Sequence, residues 1–159
     1  MPRDDRILLL LDVIEQVFGR RGWHGTTLTG ALRGVTPRAA LWRPVPDRHN
    51  IWEYTLHVAY WKYIVRRRLT GDRSIRFPRP GSNWPPVPPR PDLAAWRLDV
   101  GLLKEQHRLL RQVVARFPAS RLDRRAPESK WTYAEHIYGI AAHDAYHTGQ
   151  IQLVKRLAG

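Results

Sequence analysis

Apolar residues recur at helical spacing through most of this chain, and Gly and Pro punctuate the gaps between the runs. Ile7, Leu10, Leu11, Ile14, Val17 and Phe18 share one face of a 3.6-residue period, which predicts a helix from about Asp5 to Phe18, ended by Gly19 and Gly22. A shorter piece around Thr26–Arg33 stops at Gly34. Thr36-Pro37 then reads as an N-cap with Pro at the first helical position, opening one or two turns to Trp42.

The second long helix starts at Asn50-Ile-Trp-Glu53, a capping box with Asn50 at the N-cap and Glu53 at N3, and continues to about Leu69 before Thr70-Gly71 closes it. Seven prolines between Pro78 and Pro91 forbid a helix there and predict extended, polyproline-like backbone. A connection of that length is more often a cover or crossover than a simple turn. Asp92 caps a third long helix, with Trp96, Val100, Leu103, Leu110 and Val114 as its apolar stripe, that runs to Phe117 and stops at Pro118. Thr132-Tyr-Ala-Glu135 is a second capping box and opens a fourth helix reaching about Leu157. No repeat or strand-period segment competes, so the expectation is an all-α four-helix bundle with one long crossover, a single domain over 1–159.

Length and composition support a folded core: 159 residues with seven Trp and six Tyr. The absence of Cys excludes disulfides, thiolate metal sites and a Cys nucleophile, so any metal must be held by nitrogen and oxygen. The Ile7–Leu11 run is broken by Asp12, too short for a signal peptide or membrane span, and the expectation is a soluble cytoplasmic protein. The formal charge is +13, and the densest cluster is Arg66, Arg67 and Arg68, followed by Arg73, Arg76 and Arg79. That cluster suits nucleic acid or an anionic substrate. With no nucleic-acid motif beside it, a solvated helix end favoured by the helix dipole is the preferred reading. The Arg-rich balance fits coding bias as well as function.

The candidate chemistry lies in the histidines. His143 and His147 stand four apart in the fourth helix, on one face and a turn apart, so both imidazoles can reach one point. Ile140, Gln150, Ile151, Val154 and Leu157 share that broad face, while Tyr138, Thr148, Gln152, Lys155 and Arg156 fall opposite. The pair therefore points into the bundle, where buried imidazoles need partners, and a metal ion supplies one. His136, seven residues before His143, is ~10 Å away along the axis and cannot share the ion, so its role is structural. A third ligand must come from another helix. His57 shares a face with Glu53, Tyr60, Trp61 and Ile64, and His107 lies among Trp96, Val100, Leu103 and Leu110; geometry alone does not separate the two. His24 and His49 sit in turn-like contexts and are weaker candidates.

The chain resembles the DinB/YfiT-like superfamily of small helical metal-binding proteins. The resemblance rests on Trp42-Arg-Pro44, Arg48-His-Asn-Ile-Trp-Glu53, His57, Arg68-Leu-Thr-Gly71, Trp131-Thr-Tyr-Ala-Glu135 and His143-Asp-Ala-Tyr-His147-Thr-Gly-Gln150-Ile. It implies a four-helix bundle of up-down-down-up connectivity, often a homodimer. It also implies a divalent metal, commonly nickel or zinc, held by His57, His143 and His147, which decides against His107. Relatives include thiol-dependent transferases and isomerases, and others are described as metal-dependent hydrolases. A small-molecule substrate and a low-molecular-weight thiol co-substrate are therefore expected.

Three neutral imidazoles on a divalent ion leave room for water, whose ionisation suits hydrolysis, or for a thiol, whose ionisation suits transfer. Hydrolysis also calls for a general base. Glu53, one turn before His57, is a candidate for that base or for orienting the His57 imidazole, but its capping-box role is the preferred reading. Gln150 either bonds a ligand or substrate or is merely a polar helix residue, and Asp144 points away from the histidine pair and receives no catalytic role. No residue in the sequence is assigned as catalytic. The leading expectation is a metal-dependent transferase or hydrolase; a metal-binding or stress-response protein without turnover comes second, and a basic nucleic-acid binder last.

Overall fold

The computed structural model describes residues 4–19 and 22–159. Its helices are α1 (Asp5–Phe18), α2 (Leu28–Leu32), α3 (Pro37–Leu41), α4 (Ile51–Thr70), α5 (Leu93–Ala115) and α6 (Tyr133–Leu157), with a 3-10 turn at Ala119–Arg121. The described residues contain no strand, only two isolated bridges, Gly22 with Gly25 and Arg125 with Thr132. None of the helices is long and apolar enough to cross a membrane.

The predicted boundaries follow from caps that are present in the structure. Asp4, Thr27, Thr36, Asn50, Asp92 and Thr132 each accept a backbone N–H of the following helix, satisfying a donor that has no partner inside the helix. Both capping boxes are complete: Glu53 and Glu135 reach back to the N-cap backbone of Asn50 and Thr132. Gly71 ends α4 in the left-handed region, at φ 71°, where a Cβ would be strained.

The core has two halves that establish helix direction. At one end, Ile7–Val17 of α1 packs with Val65 and Leu69 of α4, Leu110 and Val114 of α5, and Tyr133–Ala141 of α6. At the other end, Phe18 meets Ile51–Ala59 of α4, Trp96 and Leu103 of α5, and Ile151 and Val154 of α6, with α2 and α3. The start of α1 thus lies with the ends of α4 and α5 and the start of α6. The connectivity is up-down-down-up, with α4 and α5 parallel. Parallel neighbours demand a connection that runs the length of the bundle, and residues 71–92 provide it.

That crossover is extended, as its prolines require, and it is tied to α5 by the Arg79–Asp99 pair and to α4 by Asn83. Gly81, at φ 87°, makes the bend: a Cβ there would come within 3.2 Å of the Pro86 ring. Beyond the bend, Asn83 and Trp84 close over the histidines of α4 and α6.

Candidate metal centre

The capping box at Asn50 sets the register of α4, and His57 follows two turns later on the side facing α6. His143 and His147 meet it from α6. Their Nε2 atoms converge: His143 Nε2 lies 3.1 Å from Nε2 of His57 and 3.1 Å from Nε2 of His147. One nitrogen from each of the three residues lies within 4.8 Å of the others, and no carboxylate joins the group among the described residues.

Neighbouring groups fix which nitrogens carry protons. His57 Nδ1–H donates to the backbone carbonyl of Asn83 at 2.8 Å, because a carbonyl can only accept. His147 Nδ1–H donates to Oε1 of Gln150 at 2.5 Å. Both residues therefore turn a lone pair toward His143, the tautomer in which Nε2 binds a metal. Of the two roles the sequence leaves open for Gln150, the structure shows it as a hydrogen-bond partner of His147.

Burial, ahead of the charges around it, pushes His57 down to about 4 and His143 down to about 3, and it lowers His147 as well. At neutral pH all three are uncharged bases. Two inward lone pairs can accept at most one hydrogen bond from the single proton His143 can place between them, and His143 Nδ1 is buried without a partner. Nitrogens bound at ~2.0–2.1 Å stand ~2.9–3.4 Å apart for inter-ligand angles between octahedral and tetrahedral, a range that includes the observed spacing. The donor set fits a divalent cation.

Aromatic rings wall the cluster. Trp84 stacks on His57 at 3.8 Å between ring centroids and on His49 at 3.5 Å, so it is sandwiched between the two imidazoles. Trp61 Nε1–H donates to Oδ1 of Asn83 at 2.6 Å, tying the crossover to α4 a second time. The sequence reading missed Asn83 and Trp84. His49, a weak candidate, lies at the edge of the site as a partner of Trp84 and Glu53, not as a member of the three-nitrogen group.

Glu53 is committed elsewhere. It pairs with the Arg43 guanidinium through two bonds of 2.8 and 2.6 Å, accepts the Asn50 N–H and contacts His49 Nδ1 at 3.0 Å. Burial pulls its carboxyl up, but these bonds outweigh burial and hold it below its usual range. The capping role expected from sequence is present. The residue is an anchored anion rather than a base waiting for a proton.

The remaining histidines are placed apart. His107 stacks on Phe18 at 3.6 Å and contacts Glu15 at 3.2 Å inside the bundle, so it is not part of the cluster. His136 bonds Ser129 Oγ at 2.9 Å and has Arg68 3.5 Å from its other nitrogen. His24 is exposed.

Asp144 faces away from the histidine pair, as its position on the helix requires, but it faces protein rather than water. It is 1% exposed and forms an ion pair with Lys62 of α4, itself fully buried. Thr148, predicted on the outward side, is also buried and donates to the Asp144 carbonyl at 2.7 Å. The arginines in the last turns of α4 and beyond do not all form one patch: Arg66 bonds Gln106 and Arg79 pairs with buried Asp99, whereas Arg67, Arg68 and Arg73 line one hollow with Glu128.

A sequence model of the DinB superfamily matches residues 22–151, most of the chain and all three histidines. The chain belongs to the DinB superfamily. No curated protein and no solved structure matches it. The chain is thus a DinB helical bundle, and the three histidines that two of its helices bring together are compatible with metal binding.

Proposed function

We propose that this DinB protein is a metal-dependent enzyme of the thiol-transfer type, with His57, His143 and His147 as ligands of a divalent ion of the nickel or zinc class. The observation that carries this reading is the convergence of three uncharged Nε2 atoms, with no carboxylate among them, at the end of a cleft. A divalent ion on three neutral imidazoles supplies a Lewis-acid position where a thiol loses its proton near neutral pH.

The chain's own residues do the rest. Asn83 and Gln150 hold the His57 and His147 protons on Nδ1 and so keep Nε2 free. Trp84 and Trp61 exclude water from one side of the cluster, while His143 faces the cleft. Hydrolysis uses the same ligand set but wants a base beside it, and the nearest sequence candidate, Glu53, is bound by Arg43, Asn50 and His49. Thiol transfer needs no such base, since the group to be activated ionises with less help than water does.

The test is cobalt substitution. About one cobalt ion per chain is expected, lost in the His57→Ala/His143→Ala/His147→Ala variant, with absorption bands that shift when 2-mercaptoethanol is added. Bands that ignore the thiol would count against the transferase reading and favour a metal-binding protein without turnover.

A further inference from the structure

The cleft that begins at His143 runs along the α4–α6 groove toward the far end of the bundle. Its volume is about 310 Å³; Trp61, Val65 and Ile140 form its wall, and Trp131 and Tyr138 its rim. At its far end stand Arg68 and His136, seven residues from His143 on α6, or ~10 Å along the helix. Arg68 also lines a second hollow of about 360 Å³ with Arg67, Arg73 and Glu128.

The charges around that end are unequal. Among the described residues Arg68 has no carboxylate partner, and its polar contact is the long one to His136. The Lys130 ammonium sits over the Trp131 ring at 4.7 Å and adds positive charge at the rim. Two carboxylates stand at that end: Glu128 lines the second hollow and is paired with Arg73, and Glu135 lines the cleft and is held by the Thr132 N–H at 2.6 Å. A guanidinium at the end of an apolar wall offers two parallel donors to a carboxylate or phosphate.

We propose that the cleft selects an amphipathic anion, with an apolar body along Trp61, Val65 and Ile140, an anionic end group on Arg68, and its reacting end at the three-histidine cluster. This names a substrate class for the site and rests on the thiol-transfer reading only for what happens at the histidine end. Arg68 is a specificity-determining residue, and the ~10 Å separation sets the ligand length.

The experiment uses the cobalt-loaded protein and three probes: mercaptohexanoate, whose thiol and carboxylate lie at opposite ends, the uncharged mercaptohexanol, and the short mercaptoacetate. Mercaptohexanoate is expected to bind about tenfold more tightly than mercaptohexanol, the worth of one charge-assisted contact. Arg68→Leu should erase that preference without changing metal content or mercaptohexanol binding, and Arg68→Lys should retain most of it. Mercaptoacetate, too short to span the cleft, should not respond to Arg68. Equal binding of acid and alcohol, or a preference that persists in Arg68→Leu, would overturn the proposal. A cobalt spectrum blind to all three thiols would instead remove the thiol-transfer reading. The cleft is then read on metal-free protein from the fluorescence of Trp61 and Trp131 with octanoate and octanol. An Arg68-dependent preference for octanoate upholds the anion site, and its absence overturns it.

Discussion

α6 carries two adjacent polar residues out of water to different depths, His143 half-buried and Asp144 fully, and the two regions they enter treat them in opposite ways. His143 faces α4 and the crossover, where its neighbours are two more imidazoles that turn lone pairs toward it. Asp144 faces the bundle interior, where Lys62 neutralises it and leaves one carboxylate oxygen without a partner. Burial pulls the Asp144 carboxyl up while Lys62 pulls it down, and its net position is above the usual range. One region holds its counter-charge within the chain. The other converges three uncharged acceptors on one point, and that difference separates a candidate binding site from a buried ion pair.

Metal binding gives the largest contrast. The triple histidine variant should lose the ion outright, a change of several orders of magnitude in retention after desalting, while Lys62→Met keeps it. Stability should move the other way. In metal-free protein His143→Leu should cost less than Lys62→Met, since it removes a partnerless nitrogen and at most one bond between neutral groups and leaves no uncompensated charge. Equal destabilisation by His143→Leu and Lys62→Met in urea titrations would break the comparison.

The ion pair supplies the next effect. Removing one member of a buried pair leaves an uncompensated charge, so Lys62→Met or Asp144→Leu alone should cost about 3–5 kcal/mol. The double variant should recover most of that loss, because two apolar residues of similar size replace two charges that were expensive to desolvate. Losses that simply add in the double variant would show that the pair does not act as a unit.

The two regions were unequally legible. The long helices were readable because caps and apolar spacing agreed at each of them, and the histidine pair because four-residue spacing is itself geometric information. The choice of His57 over His107 came from resemblance, and the structure supplies its physical reason: His57 faces α6 at the groove, whereas His107 lies against Phe18 and Glu15. Lys62–Asp144 was not readable, since a charge in mid-helix ordinarily marks a solvated face. Thr148 was misplaced for a related reason. α6 packs against α1, α4 and also α2, and Lys155 bonds the Ala31 carbonyl at 3.1 Å, so its buried arc is wider than a two-neighbour wheel assumes. Asn83 acts on His57 through its backbone carbonyl, which leaves no mark in the sequence.

Gln150 tests how far the metal region depends on its support. Gln150→Leu keeps all three ligands but removes the acceptor that holds the His147 proton on Nδ1. Metal affinity should fall about 10- to 100-fold, the usual worth of such a partner. Competition against a chelator measures it, and an unchanged affinity would mean that the histidine spacing alone orients the ring.

The smallest effect, a pH slope, sharpens the other region. Burial first, then the positive charges of Lys62 and Arg111, push His107 down to about 2. An unfolded histidine titrates at ~6.5, so above that pH His107 adds no pH dependence. Below it the unfolded chain takes up a proton that the folded protein refuses. Stability then falls as pH falls, by at most ~1.4 kcal/mol per unit, over a window that extends down toward the folded value. Metal-free His107→Gln should therefore lose less stability than the metal-free parent, by ~1 kcal/mol, between about pH 6.5 and about pH 5.5. The three ligand histidines are present in both proteins and cancel from that difference. Urea titrations at the two pH values measure it, and parallel losses would mean that His107 takes a proton within the fold. Lys62→Met removes one of the charges that hold His107 down, but burial is the larger cause, so in that background the effect of His107→Gln over the same window should persist. A diminished effect would show that the Lys62 charge, rather than burial, keeps His107 from taking a proton.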